Sequence, residues 1–359
     1  MTRYLLAGGG TAGHVNPLLA TADELRARRP DDEVLVLGTA EGLEARLVPL
    51  RGYELSVIPR LPFPRRPNAA ALRFPAALRS SIDGIVRTLR ERRIDAVVGF
   101  GGYAAAPAYL AARRVGIPFT VHEANARPGL ANRLGARATP FVGVAFEGTP
   151  LPHARVVGMP LRREIATLDR ATTRDEAMAA FDLDPARPTL LVTGGSLGAR
   201  RINATVHASA AALVGTGFQV LHITGDRAEI SDPGIPGYHL LAYCDRMDLA
   251  LSAADLAVSR AGAATVSELS ALGLPAVYVP YPVGNGEQRF NARGVVEAGG
   301  AVLVDDAAFL PTWVESGLLP LLGDSARRAE MGRRASSVGV RDGSGRLADL
   351  VEESLGTTR

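Results

Sequence analysis

One local pattern opens the chain and returns near its middle. Residues 5–11 read Leu5-Leu6-Ala7-Gly8-Gly9-Gly10-Thr11, and residues 190–196 read Leu190-Leu191-Val192-Thr193-Gly194-Gly195-Ser196. Each is a short apolar run broken by glycines and followed by a helix-length segment. Strand, glycine turn and helix start, in that order, form the repeating unit of a doubly wound parallel sheet. Further apolar runs alternate with helical stretches, at 34–37, 96–99, 119–121 and 141–145 in the first half and 220–224, 239–242, 256–259, 276–279 and 301–304 in the second. Near-continuous apolar runs indicate strands covered on both faces. The prediction is an α/β chain of two Rossmann-like, doubly wound parallel-sheet domains. A length of 359 residues also exceeds one typical core. We place an N-terminal domain over 1–160, joined at Val157-Gly158-Met159-Pro160 to a second over 161–340. Residues 167–188 read as an exposed helix and loop, and 341–359 as a C-terminal helix able to pack back on the first domain.

Composition removes several chemistries. All 40 basic side chains counted as Lys+Arg are arginine, so neither a Walker-A lysine nor a lysine Schiff base exists. Cys244 is the only cysteine, which excludes an internal disulfide and a cysteine-rich metal site. A net charge of +3 is too small to argue for nucleic acid as partner. The apolar run 4–7 is too short for a signal peptide, and no run is long enough to span a bilayer, so a cytoplasmic location is expected.

Five segments concentrate polar chemistry at predicted strand ends. The first is Gly8-Gly9-Gly10-Thr11-Ala12-Gly13-His14, whose N–H groups, with a helix starting near Pro17, could approach an anion. Its spacing also satisfies the dinucleotide G-x-G-x-x-G pattern, but the second strand ends Leu37-Gly38-Thr39 without the acidic partner that NAD or FAD requires. A second turn, 99–103, reads either as tight helix–sheet packing or as part of a site. Next, His122, Glu123, Asn125 and Arg127 cluster directly after a buried strand. In the second half, the turn 194–201 offers N–H groups and the Ser196 hydroxyl to a diphosphate. The segment 259–268 ends in Glu268, a carboxylate able to accept both hydroxyls of a ribose. Glu287, Gln288 and Asn291 in the loop 281–291 suit the hydroxyls of a sugar. No Asp-x-Asp motif lies near a strand end, so helix dipoles and N–H groups, rather than a bound metal, are expected to stabilise the diphosphate.

These blocks, in this order, resemble the MurG family of peptidoglycan N-acetylglucosaminyltransferases, from about residue 4 to about 305. Three blocks occurring together make the match specific: Gly-Gly-Gly-Thr-x-Gly-His, His-Glu-x-Asn and Ala-x-Thr-Val-Ser-Glu. The resemblance implies a GT-B fold with an interdomain cleft. It implies UDP-N-acetylglucosamine as donor and no tightly bound cofactor. The implied acceptor is lipid I, on the cytoplasmic face of the membrane, and the product is lipid II, formed with inversion. The enzyme would be peripheral on the inner face of the cell membrane, with cell-wall synthesis proteins as further partners and no nucleic acid.

Carried over by position, Thr11, Ala12, Gly13 and Asn125 approach the donor sugar or diphosphate, and Arg162 and Ser196 contact the nucleotide or diphosphate. The backbone at Cys244 meets uracil. Ala263, Ala264, Thr265, Val266 and Ser267 pack on the diphosphate. Glu268 holds ribose, and Gln288, with Glu287 beside it, holds the sugar. Ala12, Ala124, Leu197 and Glu287 depart from residues common in the family. His14 is the first candidate for the catalytic base, and Glu123 the second. For membrane contact the sequence offers the arginine-rich, proline-containing stretch 61–75, with Phe63, Arg65, Arg66, Arg73 and Phe74. The main rival is a related GT-B transferase of UDP-sugars with another glycolipid or natural-product acceptor. An epimerase of UDP-N-acetylglucosamine, a dinucleotide oxidoreductase and a binding protein with a dead site also fit parts of the pattern.

Overall fold

A computed structural model describes residues 1–62, 69–195, 199–226, 228–283 and 286–356. The chain forms two compact units: Met1–Arg162 with Asp342–Arg359, and Arg163–Arg341.

The first unit holds a parallel sheet of β1 (Arg3–Ala7), β2 (Glu33–Gly38), β3 (Glu54–Val57), β4 (Ala96–Gly99), β5 (Phe119–Glu123), β6 (Val142–Val144) and β7 (Ala154–Val156). Their order is β3-β2-β1-β4-β5-β6-β7. The chain winds outward from β1 and then returns to β4 on β1's other side, with Ala7 opposite both Leu37 and Gly99. This reversal is the switch point at whose carboxyl edge open α/β sheets bind ligands. Helices α1 (Ala12–Arg28), α2 (Glu44–Leu50), α3 (Ala69–Glu91), α4 (Gly102–Val115) and α5 (Leu130–Ala136) complete the crossovers. Both sheet faces are buried. Leu5, Leu37, Val97 and Val121 pack on one side, and Leu6, Val36 and Val98 with Leu18 of α1 on the other.

The helix Gly343–Gly356 belongs to this second face, where it buries Leu347, Ala348, Leu350 and Val351. It can lie this close because a Cβ on Gly343 would sit 2.1 Å from the Met159 carbonyl oxygen. Arg28 of α1 ties it down through Asp349 (2.6 Å) and the Gly345 carbonyl (2.9 Å).

The second unit repeats the plan with β8 (Thr189–Thr193), β9 (Gln219–Ile223), β10 (Tyr238–Leu241), β11 (Leu256–Ser259), β12 (Ala276–Tyr278) and β13 (Ala301–Leu303), ordered β10-β9-β8-β11-β12-β13 and all parallel. Its switch point lies between β8 and β11, where Thr193 faces Ser259.

Two details differ from the sequence reading. The first helix begins at Ala12, not near Pro17, and Pro17 lies inside it. Proline lacks the N–H that would bond the Gly13 carbonyl, and the pattern therefore mimics a helix start. Strands β3 and β7 escape the apolar-run criterion because both are short sheet edges, half-polar in one case and fully exposed in the other. Within the stretch 61–75, residues from Ala69 onward, Pro75 included, belong to α3.

Candidate active site

In the first unit three turns meet at the carboxyl edge beside the switch point. The β1 turn delivers His14 in the first turn of α1, half-buried. Its Nδ1 lies 3.1 Å from the Gly9 carbonyl oxygen and 3.3 Å from the Thr11 hydroxyl. A carbonyl can only accept, so Nδ1 carries the proton and Nε2 keeps its lone pair. Burial pushes the imidazole below its ordinary pKa, and Glu123, the Gly9 carbonyl and Glu44 oppose that shift without cancelling it. A neutral ring with an open Nε2 is the form a base needs.

The β4 turn closes around this ring. Gly101 (φ +93°) and Gly102 (φ +76°) adopt backbone angles that side chains avoid. A Cβ on Gly101 would lie 3.1 Å from His14 Nε2, and one on Gly102 would lie 2.5 Å from the Gly9 oxygen. This turn therefore packs directly against the histidine turn.

Glu123 ends β5 and is only 3% exposed. One carboxylate oxygen accepts the Asn125 N–H at 2.9 Å; the other accepts the Gly129 N–H at 2.9 Å and the Asn132 amide at 3.0 Å. Three donors occupy the group that the sequence offers as second base. Through these bonds it builds the loop 124–129. Asn132, not singled out from sequence, organises this corner. Its amide also donates to the His122 carbonyl at 2.9 Å and its oxygen accepts the buried Tyr109 hydroxyl at 2.8 Å. His122 is structural: its Nε2 bonds the Gly158 carbonyl at 3.0 Å, and burial drives its pKa down to about 4.

The first turn also departs from a simple anion cradle. The Gly10 N–H donates to the Glu44 carboxylate at 2.8 Å and is not open to a phosphate. Thr11 is exposed, and Ala12, Gly13 and Asn125 are half-buried.

In the second unit, helix Ala263–Ala271 starts directly after the β11 turn, capped by Gly262. Ala264, Thr265, Ser267 and Glu268 lie on its partly exposed side, whereas Ala263 (7% exposed) and Val266 (2%) face the core. At Ala263 and Val266 it is the backbone of the helix start that is turned to the turn's open side. Gln288 opens no free amide oxygen: its Oε1 accepts the N–H groups of Tyr281 (2.9 Å) and Ala261 (3.2 Å), which leaves its amide nitrogen as the donor end. Glu287 stands half-buried beside it, and Asn291 is buried with its amide 3.3 Å from the Ala261 carbonyl. Arg260 underpins this loop. Its guanidinium is buried and donates to the carbonyls of Val279 and Pro280 and to Asp306 at 2.6 Å. Cys244 is buried after β10, its thiol pushed up chiefly by burial. Arg162 is half-buried at the end of the first unit's main segment. Ser196, like Phe63, Arg65, Arg66 and Leu197, lies outside the described residues. Among the described residues no group of three or more His, Cys, Asp or Glu side chains could hold a metal ion.

Two family models divide the chain between them. Residues 4–142 match the glycosyltransferase family 28 N-terminal domain, and residues 189–347 match the family's C-terminal domain. A UDP-N-acetylglucosamine–N-acetylmuramyl-(pentapeptide) pyrophosphoryl-undecaprenol N-acetylglucosamine transferase of Leifsonia xyli subsp. xyli is 70% identical over 355 residues, 99% of each chain. The chain belongs to this family, the MurG glycosyltransferases. The crystal structure of Acinetobacter baumannii MurG superposes with a TM-score of 0.81 at 27% identity, covering 98% of this chain and 100% of that one. A UDP-GlcNAc 2-epimerase from Neisseria meningitidis shares the fold at a TM-score of 0.70, covering 98% and 100%, with only 15% identity. The two-sheet GT-B architecture is thus common to transferase and epimerase. Membership in the MurG family rests on the sequence identity.

Proposed function

We propose that this MurG-family enzyme transfers N-acetylglucosamine from UDP-N-acetylglucosamine to the N-acetylmuramoyl 4-hydroxyl of lipid I, with inversion, giving lipid II and UDP. The observation that carries this reading is the 70% identity, over 99% of both chains, to a relative so named. In the step itself, His14 Nε2 takes the proton of the acceptor hydroxyl as its oxygen bonds to the anomeric carbon. The bond from that carbon to the diphosphate breaks, and UDP leaves with the electron pair. The start of helix Ala263–Ala271 offers N–H groups to the diphosphate. Glu268 accepts the ribose hydroxyls, the chain at Cys244 meets the uracil, and the Gln288 amide nitrogen donates to the sugar. Arg162, Ser196 and Glu287 complete the donor contacts. This reading gives the diphosphate no bound metal and the enzyme no resident cofactor.

A lipid-linked acceptor requires the membrane surface. In this reading the enzyme works peripherally on the inner face, where Arg73, Phe74 and the 86% exposed Leu72 start α3. Among the described residues no helix is long and apolar enough to cross a membrane. Incubation with labelled UDP-N-acetylglucosamine and a short-chain lipid I analogue tests the assignment. A β-linked disaccharide that forms only when both are present supports it. Conversion of donor without acceptor, or transfer only to an unrelated acceptor, would sink it.

A further inference from the structure

Glu44 is fully buried beside the histidine turn, and the reaction as described gives it no role. It opens α2, and its carboxylate reaches across to two loops. Oε1 accepts the Thr39 N–H at 2.9 Å and the Thr39 hydroxyl at 2.8 Å; Oε2 accepts the Gly10 N–H at 2.8 Å. A Cβ on Gly9, Gly38 or Gly42 would lie 2.2, 2.5 or 2.1 Å from Glu44 side-chain atoms. Three glycines, one in the β1 turn and two at the end of β2 and in the loop after it, thus make room for one carboxylate. Burial alone would neutralise such a group. Burial does push Glu44 up, but the Gly10 and Thr39 N–H groups and the Thr39 hydroxyl outweigh it, and the net shift is downward. The charge is kept.

The Gly10 N–H and the Gly9 C=O belong to one peptide group. Glu44 holds the N–H end of that peptide, and His14 Nδ1–H donates to its C=O end at 3.1 Å. Carboxylate, peptide and imidazole form a chain in which each hydrogen bond polarises the next. We propose that Glu44 is a positioning residue for the transfer, fixing the tautomer and orientation of His14 through the peptide between Gly9 and Gly10. This inference rests on the assignment of His14 as base. Charged or titratable groups facing the ring are Glu44, Glu123 and His122; both carboxylates raise the His14 pKa, and burial lowers it.

The test compares Glu44→Gln, Thr39→Val and wild type, with Glu44→Gln also made in a His14→Ala background. The amide fits the same space but turns an N–H toward a donor. Expected for Glu44→Gln is a kcat loss of about 10- to 100-fold, a part of the ~10²–10⁴-fold of a lost general base. The KM for UDP-N-acetylglucosamine should stay within about 3-fold. The acid limb of kcat/KM should move to lower pH, because one of the carboxylates that raise His14 has gone. In the His14→Ala background Glu44→Gln should add nothing. Thr39→Val should shift the same limb in the same direction by less, and it decides the matter if Glu44→Gln does not fold. An unmoved limb, or an equal loss in both backgrounds, overturns the proposal. Ring 15N NMR of His14 reads the tautomer and titration without turnover. An Nδ1–H signal unchanged by Glu44→Gln refutes the positioning role even if the wild type makes no disaccharide, and that latter result would refute the proposed function instead.

Discussion

A methyl group on Gly101 probes the proposed base by crowding its Nε2 face. The added Cβ would sit 3.1 Å from His14 Nε2, 3.2 Å from its Cδ2 and 3.5 Å from the Asn132 amide. A hydroxyl that gives its proton to Nε2 must stand about 2.6–3.2 Å away, so the methyl enters the shell the acceptor needs. Gly101 also has φ 93° and ψ −166°, a region essentially reserved for glycine, which makes alanine there costly by about 1–3 kcal/mol. Two effects must then be separated. Gly116→Ala supplies the control: Gly116 has φ +75°, lies at the other end of α4 and has nothing within 4 Å of its Cβ position. Both variants should melt earlier, by several degrees. Only Gly101→Ala should lose kcat, by about 100-fold or more, approaching the loss of the base itself. Rates would be read with labelled UDP-N-acetylglucosamine and a soluble lipid I analogue, and stability by thermal melting. If Gly101→Ala keeps kcat within about 3-fold of Gly116→Ala, the Nε2 face is not where the proton is taken, and His14 loses its role.

Two more outcomes follow from the same geometry. Glu268→Gln should raise the KM for the UDP donor by about 10- to 100-fold with little change in kcat, since charge-assisted bonds to ribose contribute about 1.5–3 kcal/mol; steady-state kinetics with a non-ribose-contacting control such as Glu297→Gln checks this. Acid should destabilise both units. His122 and His222 are buried and held near a pKa of about 4 against 6.5 unfolded, chiefly by burial. Their neutral forms stabilise the fold above pH 6.5, and that stability is lost as pH falls from 6.5 toward 4, by about 3 kcal/mol for each histidine. Urea melts at pH 7 and pH 5 measure the slope, which should be shallower in His122→Asn; equal slopes in the two proteins would show that His122 does not titrate on unfolding.

The strand and turn plan of both units is written in the sequence, because buried parallel strands need unbroken apolar runs and their turns need glycine. Edge strands β3 and β7 carry no such signature, since one face or both meet solvent. His14 stands out in the sequence as a histidine directly after a glycine turn, and the fold puts its ring against the Gly9 carbonyl of that turn. Glu123 is readable as polar, but its three N–H donors come from a loop and a helix that only folding brings together. Glu44 is hidden more deeply. Its sequence trace is the spacing of Gly9, Gly38 and Gly42, and each of these glycines also reads as an ordinary turn residue. The division of helix Ala263–Ala271 into core and open sides, by contrast, follows from its 3.6-residue period and is available from sequence.

The claim on which the mechanism depends is that the neutral His14 ring removes the acceptor proton. Single-turnover transfer by His14→Ala, with enzyme in excess over labelled donor and lipid I analogue, tests it without interference from product release. Expected is a chemical step slowed by about 10²–10⁴-fold and no longer dependent on the ionisation that shapes the wild-type acid limb. A His14→Ala step at the wild-type rate, with the acid limb intact, would contradict it.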